Sequence, residues 1–171
     1  MMKKTIILLI AILSIYACQK DDIGFLHVEG AGYSPDSLVV RTKLQDKKAL
    51  NPEYVYLLEH GYTEIQLAKM HIYKYIYEPD YFRTLKKVPW TSIELEGVRG
   101  TAQIFYEIKN IKGIDGSDAN KFKTDMAIDG AGRISVIYDH KIPKGKYLIS
   151  IEIKNEGYTK YLDDIFTVII Q

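Results

Sequence analysis

The second half of the chain is dominated by segments in which every second residue is apolar. The longest covers residues 147–154, and shorter ones cover 93–96, 104–109, 134–138 and 166–170. Successive side chains of a strand point to opposite faces, so this spacing sends one set toward a core and the other toward solvent or a second layer. Several short strands separated by turns predict an all-β domain, built as an antiparallel β-sandwich.

Turn-forming residues separate these segments. Asp129-Gly130-Ala131-Gly132 supplies residues that tolerate a positive φ ahead of the strand at 134. In Ile142-Pro143-Lys144-Gly145 the proline presets φ for a turn and the glycine ends it. The Pro-x-Gly-x-Tyr arrangement that ends at Tyr147 resembles the corner before the penultimate strand of immunoglobulin-like domains, where a tyrosine hydroxyl bonds back to the backbone. We therefore expect Tyr147 to be structural, within an immunoglobulin-like domain of residues 34–171.

One short helix is predicted near residues 64–75. Thr63-Glu64-Ile65-Gln66 fits a capping box, in which Thr63 caps free amides and Gln66 reaches back. Apolar residues then recur at helical spacing, at Ile65, Ala68, Ile72 and Ile76. Residues 71–77 also alternate as a strand would, and their aromatic residues favour strands. We favour a helix that begins at Glu64 and continues to Lys69 or somewhat beyond.

The N-terminus has the features of a lipoprotein signal peptide, residues 1–17. Lys3 and Lys4 precede an apolar run of residues 5–13, which is shorter than the roughly 20 residues that span a bilayer. Ile15-Tyr16-Ala17-Cys18 resembles the lipobox that the lipoprotein signal peptidase reads. Cys18 is the single cysteine of the chain, so it has no internal disulfide partner. We expect cleavage before Cys18 and membrane attachment through acyl chains on its sulfur.

A flexible tether, residues 18–33, is expected to follow the cleavage site, because glycines punctuate it and no apolar period is established there. Lys20-Asp21-Asp22 looks like the basic-then-acidic signal that directs lipoproteins of the Bacteroidota to the outer cell surface. The expected location is therefore the outer membrane, facing the exterior. Loss of Lys3 and Lys4 with the signal peptide lowers the formal net charge from +1 to −1, which argues against nucleic-acid binding.

No local motif indicates catalysis, and we expect a protein that is not an enzyme and needs no cofactor or metal. The four histidines show no metal-ligand spacing, and no serine lies in a nucleophile-elbow context. Residues 115–120, Asp-Gly-Ser-Asp-Ala-Asn, offer clustered oxygens that suit calcium. Their spacing does not match an EF-hand loop, and no glutamate closes it. A plain loop with an Asx-type turn is the simpler interpretation, and calcium binding stays open.

Tyrosines are the clearest functional feature. Of the 14 tyrosines, seven lie in the stretch from residue 54 to residue 81. A tyrosine combines a flat apolar face with a polar tip, which suits sugar rings and protein partners alike. The alternative is that these rings, and Trp90 with them, fill the core and rim of the sandwich. The residues proposed to bind a ligand are Tyr73, Tyr75, Tyr77, Tyr81 and Trp90.

Residues 32–38, Gly-Tyr-Ser-Pro-Asp-Ser-Leu, resemble the start of the domain in a family of surface lipoproteins of the Bacteroidota. Residues 89–92, 97–101 and 142–166 are similar to the same group. This resemblance implies an immunoglobulin-like domain found beside outer-membrane transporters of the starch-utilisation type. The expected function is a surface-anchored binding module accessory to glycan or nutrient capture, with a transporter or other surface protein as partner. The alternative is an adhesin-like or structural module that contacts another protein.

Overall fold

A computed structural model describes residues 24–101 and 103–171. The predicted signal peptide, Cys18 and residues 19–23 of the predicted tether lie outside the described residues. The strands are β1 (Leu26–His27), β2 (Ser37–Val40), β3 (Lys48–Leu50), β4 (Tyr75–Tyr77), β5 (Trp90–Thr91), β6 (Arg99–Gly100), β7 (Phe105–Gly113), β8 (Met126–Ile128), β9 (Ile134–Val136), β10 (Gly145–Asn155) and β11 (Tyr158–Ile170). The helices are α1 (Pro52–Glu59), α2 (Glu64–Lys69), α3 (Tyr81–Lys86) and a 3₁₀ helix (Asn120–Asp125). Within these two ranges no helix has the length and hydropathy needed to cross a bilayer.

Two sheets form the body of the domain. One has the strand order β2-β11-β10-β7, and the other has the order β5-β9-β8. Neighbouring strands run antiparallel, except that β2 runs parallel to β11. Strands β2 and β11 come from opposite ends of the domain, so no single connection has to join this parallel pair. The prediction of a mostly β protein compatible with a sandwich is confirmed.

Both sheets contribute side chains to one apolar core. Ile149, Ile151 and Ile153 of β10 are fully buried, as the alternation of residues 147–154 predicts. From β11, Phe166 and Val168 join them. The hydroxyl of Tyr147 donates to the carbonyl oxygen of Pro143 at 3.0 Å, which confirms the expected bond back to the backbone. The strand predicted at 93–96 is wrong: only Glu96 forms an isolated bridge, to Gly32.

Register shifts interrupt both ladders of β10 close to the buried Ser150. Between its pairs with Ile149 and Ile151 of β10, strand β11 has more residues than β10. One of these residues, Asp164, has a left-handed φ of 51°. The backbone amide of Asp164 donates to Ser150 Oγ at 3.1 Å. On the other side, Lys112 of β7 places its ammonium 2.6 Å from the Asp164 carboxylate. Such bulges bend a sheet and increase its twist, which helps the long hairpin wrap the core.

The prediction of one short helix near 64–75 is partly wrong. The capping box at Thr63 is confirmed, since Thr63 and Gln66 satisfy each other's backbone amides. However, α2 ends at Lys69, His71 adopts a left-handed φ of 58°, and residues 75–77 form a strand. Tertiary pairing of this aromatic segment with β3 overrides its helical spacing. Helices α1 and α3 and the 3₁₀ helix were not predicted.

Part of the predicted tether is folded against the domain instead. Strand β1 pairs antiparallel with β6, with Leu26 opposite Gly100. Leu26 and Tyr33 are buried in the main core, and the Tyr33 ring packs against Phe166 with a centroid distance of 4.6 Å. The Tyr33 hydroxyl donates to the carbonyl oxygen of Gly132. The predicted boundary at residue 33 is therefore wrong for residues 26–33, because two large apolar side chains in this stretch are removed from water.

Residues 43–89 form an insertion between β2 and β5. It contains the two-stranded ribbon β3–β4 and the three α-helices. Its buried side chains are Tyr54, Leu67 and Asp80, and neither Tyr54 nor Leu67 belongs to the main core cluster. A core this small provides little hydrophobic stabilisation. The insertion therefore depends on its polar anchors to the sandwich and exposes most of its other apolar side chains.

Candidate functional site

The insertion carries most of the exposed large hydrophobic residues in the described part of the chain. Of the nineteen large hydrophobic residues exposed there, twelve lie in the insertion. They include aromatic, aliphatic and methionine side chains: Leu50, Tyr56, Tyr62, Ile65, Met70, Tyr73, Tyr75, Ile76, Tyr77, Phe82, Leu85 and Val88. Scattered apolar residues are normal on a protein surface, whereas a concentration of this kind is typical of an interaction site.

The ribbon β3–β4 has side chains exposed on both faces. Lys48 pairs with Tyr77, Ala49 with Ile76 and Leu50 with Tyr75. Among the described residues neither strand has a second partner strand, so the outer edge of each is free. A two-stranded ribbon without a covered face is marginally stable by itself. The free edges and apolar faces suit addition of another protein element.

Three of the proposed ligand-binding tyrosines lie on or beside this ribbon and reach solvent. Tyr73 is 59% exposed, Tyr75 37% and Tyr77 39%. The ammonium of Lys48 lies 3.7 Å from the centroid of the Tyr75 ring and covers one of its faces. A cation on an aromatic face is a favourable contact, and it leaves that face unavailable for stacking with a sugar.

Tyr77 belongs to an aromatic cluster with Tyr81 and Phe82 of α3. The ring centroid of Tyr77 lies 4.6 Å from that of Tyr81 and 5.1 Å from that of Phe82. Tyr81 is half-buried in this cluster, and Phe82 is exposed. The structure thus brings Tyr77 and Tyr81 together, and the Lys48 ammonium lies 5.7 Å from the centroid of the Tyr77 ring.

Trp90 is packed at the base of the insertion and lies outside this cluster. It is 6% exposed, stacks parallel to Tyr138 at 5.9 Å and meets His140 edge-on at 5.8 Å. The guanidinium of Arg83 lies 4.9 Å from its ring centroid. Of the two roles considered for Trp90, packing in the fold and ligand binding, packing accounts for most of its contacts.

Trp90 also lines two adjoining cavities, which together we call the cleft. The first holds about 320 Å³ and lies between β2 and β5; its walls are Leu38, Val39, Arg41, Arg83, Trp90, Thr91 and Gln171. The second holds about 180 Å³ and shares Arg41 and Trp90 with the first. Thr42, Leu44, Tyr138 and His140 complete the second cavity. The cleft is concave and mixes aromatic, aliphatic and polar walls.

Arg41 is held in the cleft wall by a buried carboxylate. Its guanidinium lies 2.7 Å from Asp80, whose side chain is 3% exposed, while the Arg41 side chain is 47% exposed. The second oxygen of Asp80 accepts the backbone amide of Gln45 at 3.1 Å. Asp80, which immediately precedes α3, therefore ties the start of that helix to the segment after β2, and it orients the Arg41 guanidinium for contact with solvent or a ligand.

Arg83 is oriented by neutral acceptors only. One of its guanidinium nitrogens donates to the carbonyl oxygens of Val88 at 3.0 Å and Pro89 at 2.6 Å. No described carboxylate lies within ion-pair distance of it. The side chain therefore presents a fixed positive charge, with the remaining donors of its planar fork directed away from these carbonyls.

His140 closes the far end of the cleft. Burial lowers its pKa below the ordinary value of 6.5, although Asp125 acts in the opposite direction. The ring is therefore neutral at pH 7. It contributes a packing surface to Trp90 and no positive charge.

The oxygen-rich loop at residues 115–120 is hydrogen-bonded within itself. Asp115 accepts the amide of Ser117 at 2.9 Å, and Asp118 accepts the amide of Asn120 at 2.8 Å. Hydrogen bonds from Ser117 lower the pKa of Asp115. These are the Asx-type turns of the simpler interpretation. Throughout the described ranges, no group of three or more His, Cys, Asp and Glu side chains is arranged to hold a metal ion.

Sequence reasoning did not identify Arg41, Arg83 or Asp80 as site residues. Arg41 and Asp80 are separated by 39 positions, and no local motif joins them. The chain has only four arginines, and two of them line the cleft, so the arginines were the residues to examine. Comparison with protein-family models, curated proteins and solved structures finds no match to this chain.

Proposed function

We propose that this chain is a lipid-anchored binding module with an immunoglobulin-like domain, which docks a partner protein at the outer cell surface through its insertion. The lipid attachment rests on the Cys18 motif alone. The docking role rests on one observation, the concentration of exposed apolar side chains on the insertion and its free-edged ribbon.

The immunoglobulin-like topology is supported by strand order. If β5, β7, β8, β9, β10 and β11 correspond to strands B to G, the sheets read B-E-D and G-F-C, as in that fold. The tyrosine bond at the start of β10 then falls on strand F, where such domains carry it. In this scheme β2 extends the G-F-C sheet, and the insertion replaces the connection between the first strands.

A protein partner fits the insertion better than a glycan does. Sugar sites are concave and place polar groups next to an open ring. Here the Tyr75 face is covered by Lys48, Tyr77 packs into an aromatic cluster, and exposed aliphatic side chains surround them. Lys47, Lys48 and Lys74 outnumber Glu78 at the ribbon, so the expected partner presents an apolar surface with an acidic rim.

Site-specific photo-crosslinking in the producing cells tests this proposal. A photo-reactive residue at Tyr73 should give a discrete protein adduct, and the same residue at Tyr161, a 50% exposed tyrosine of β11, should not. Ile76→Ser should abolish the adduct, because it removes apolar surface that only a partner would cover. As a matched control, Phe105→Ser changes a similarly exposed residue of β7 and should leave the adduct intact.

Two results would contradict protein docking. One is the absence of any adduct from Tyr73 in intact cells. The other is a glycan array in which the soluble domain binds a polysaccharide and Ile76→Ser or a change at Tyr73 removes that binding. For the anchor, Cys18→Ala should release the protein from membranes, and unchanged attachment would refute lipidation.

Glycan or nutrient capture, beside an outer-membrane transporter, is the second candidate function. The observation that favours it is the cleft, which is concave and combines Trp90 with Thr91, Gln171 and two arginines. Its volume of about 320 Å³ is at the small end of ligand pockets, roughly 300–1,000 Å³. A small polar ligand fits the cleft, whereas the exposed apolar side chains of the insertion suit a macromolecule.

A further inference from the structure

The charged side chains that line the cleft are arginines. Arg41 and Arg83 both line its larger cavity, and none of the described residues lining either cavity is an aspartate or glutamate. Asp80 balances one of the two charges from behind the wall, where it is buried. Arg83 has no carboxylate side chain within ion-pair distance among the described residues.

Both guanidiniums are fixed before any ligand arrives. Arg41 is held by Asp80, and Arg83 is held by two backbone carbonyls and the face of Trp90. An arginine that is already ordered loses less side-chain entropy on binding, so its hydrogen bonds contribute more to affinity. The planar fork of a guanidinium matches the two oxygens of a carboxylate, sulfate or phosphate.

Other polar groups at the cleft are either engaged or available to a ligand. The backbone oxygen of Gln171 accepts both the amide and the hydroxyl of Thr42, at 2.7 and 2.9 Å. Thr91 and the Gln171 side chain also border the larger cavity and can hydrogen-bond a neutral polar body. Leu38 and Val39 give the opposite wall an apolar character.

We propose that the cleft binds a small ligand that carries an oxyanion group, with Arg83 and Arg41 as the donors to that group. The body of the ligand lies against Leu38, Val39 and the accessible part of Trp90. This inference deepens the second candidate function by giving its ligand class, and it stands whether or not the insertion docks a protein.

The chain provides its own reporter for this site, since Trp90 is its single tryptophan. The soluble domain lacking residues 1–18 is titrated with sodium glucuronate, with sodium sulfate, and with glucose as the neutral match of glucuronate. Trp90 emission and titration calorimetry are recorded together. We expect saturable binding of glucuronate, sulfate or both, which weakens as salt is added, and no comparable response to glucose.

The anionic probes also distinguish the source of the oxyanion. Tighter binding of glucuronate indicates an anion carried on a polar ring, and tighter binding of sulfate indicates a free inorganic anion; both support the proposal. Arg83→Gln should weaken binding roughly tenfold to a hundredfold, the range for a lost charge-assisted hydrogen bond. Arg99→Gln removes an exposed arginine of β6 outside the cleft and should leave affinity unchanged.

Arg83 also fastens residues 88–89, so Arg83→Lys, which keeps the charge, is measured beside Arg83→Gln. Circular dichroism verifies the fold of each variant. If Arg83→Gln does not fold, the salt dependence of the parent and the weakened binding of Arg83→Lys decide the question. The proposal is overturned if neither anion binds, if glucose binds as tightly as glucuronate, or if folded variants at Arg83 keep the parent affinity. Binding of glucose alone would support the second candidate function and still refute the oxyanion.

Discussion

Replacing Tyr33 by alanine should destabilise the whole domain, although its position suggests a tether. The ring is 7% exposed, packs on Phe166 and donates its hydroxyl to Gly132 on the turn before β9. Burial also raises the pKa of Tyr33, so the hydroxyl stays protonated as a donor over the working pH range. This one side chain therefore joins the N-terminal segment to both the core and a distant turn.

The expected cost follows from these contacts. Truncating a buried aromatic ring to alanine costs about 3–5 kcal/mol through lost burial and the cavity left behind. Leaving the Gly132 carbonyl without its donor adds about 1 kcal/mol or more. A total near 5 kcal/mol is a large part of the roughly 5–15 kcal/mol that stabilises a domain of this size. Tyr33→Phe isolates the hydroxyl and should cost about 1–2 kcal/mol.

Urea unfolding of the soluble domain, followed by circular dichroism and Trp90 emission, measures both values. Tyr161→Ala is the control, because that ring is 50% exposed on β11 and should change stability by about 1 kcal/mol or less. The reasoning is refuted if Tyr33→Ala unfolds within about 0.5 kcal/mol of the parent, since a residue in a free tether would behave in that way.

Three further results are expected. Tyr147→Phe should lower the free energy of unfolding by about 1 kcal/mol in urea, through loss of the bond to Pro143, and an unchanged midpoint would contradict a structural role. Because burial holds the pKa of His140 below 6.5, the unfolded chain binds more protons than the folded one, and the free energy of unfolding should fall as pH drops below 6.5. His140→Gln should remove this pH dependence above the range where carboxylates titrate, and a variant with the pH profile of the parent would exclude the explanation. Leu67→Ala should increase amide hydrogen exchange within the insertion while strands β7, β10 and β11 stay protected, and uniform loss of protection would show that the insertion and the sandwich unfold together.

The residues that sequence reasoning placed correctly are those whose structure depends on near neighbours. The capping box at Thr63 is satisfied within four residues, and the bond from Tyr147 to Pro143 spans the same short distance. The alternation in β10 survives because both flanking strands pair with it and its inward side chains meet one core. Helix α1 could have been predicted as well, since Asn51 caps it and Pro52 occupies its first position.

The errors arise where a distant segment decides the local structure. Residues 75–77 satisfy a helical spacing, and they form a strand because Lys48–Leu50 lie beside them. Residues 26–33 have no apolar period, and they fold because Leu26 pairs with Gly100 and Tyr33 packs on Phe166. Residues 93–96 alternate as a strand should, yet the Ser92 hydroxyl takes the amide of Ile134 and no regular ladder continues.

Composition and order along the chain determined that this protein would be β-rich and that its tyrosines would concentrate in one stretch, while lipid attachment at Cys18 stays a prediction. Whether those tyrosines would face solvent was decided only by tertiary packing. The insertion buries only two apolar side chains, Tyr54 and Leu67, and exposes twelve of its large hydrophobic residues. The cleft likewise depends on the fold, because Arg41 and Arg83 become neighbours only when Asp80 and Trp90 bring the two ends of the insertion together.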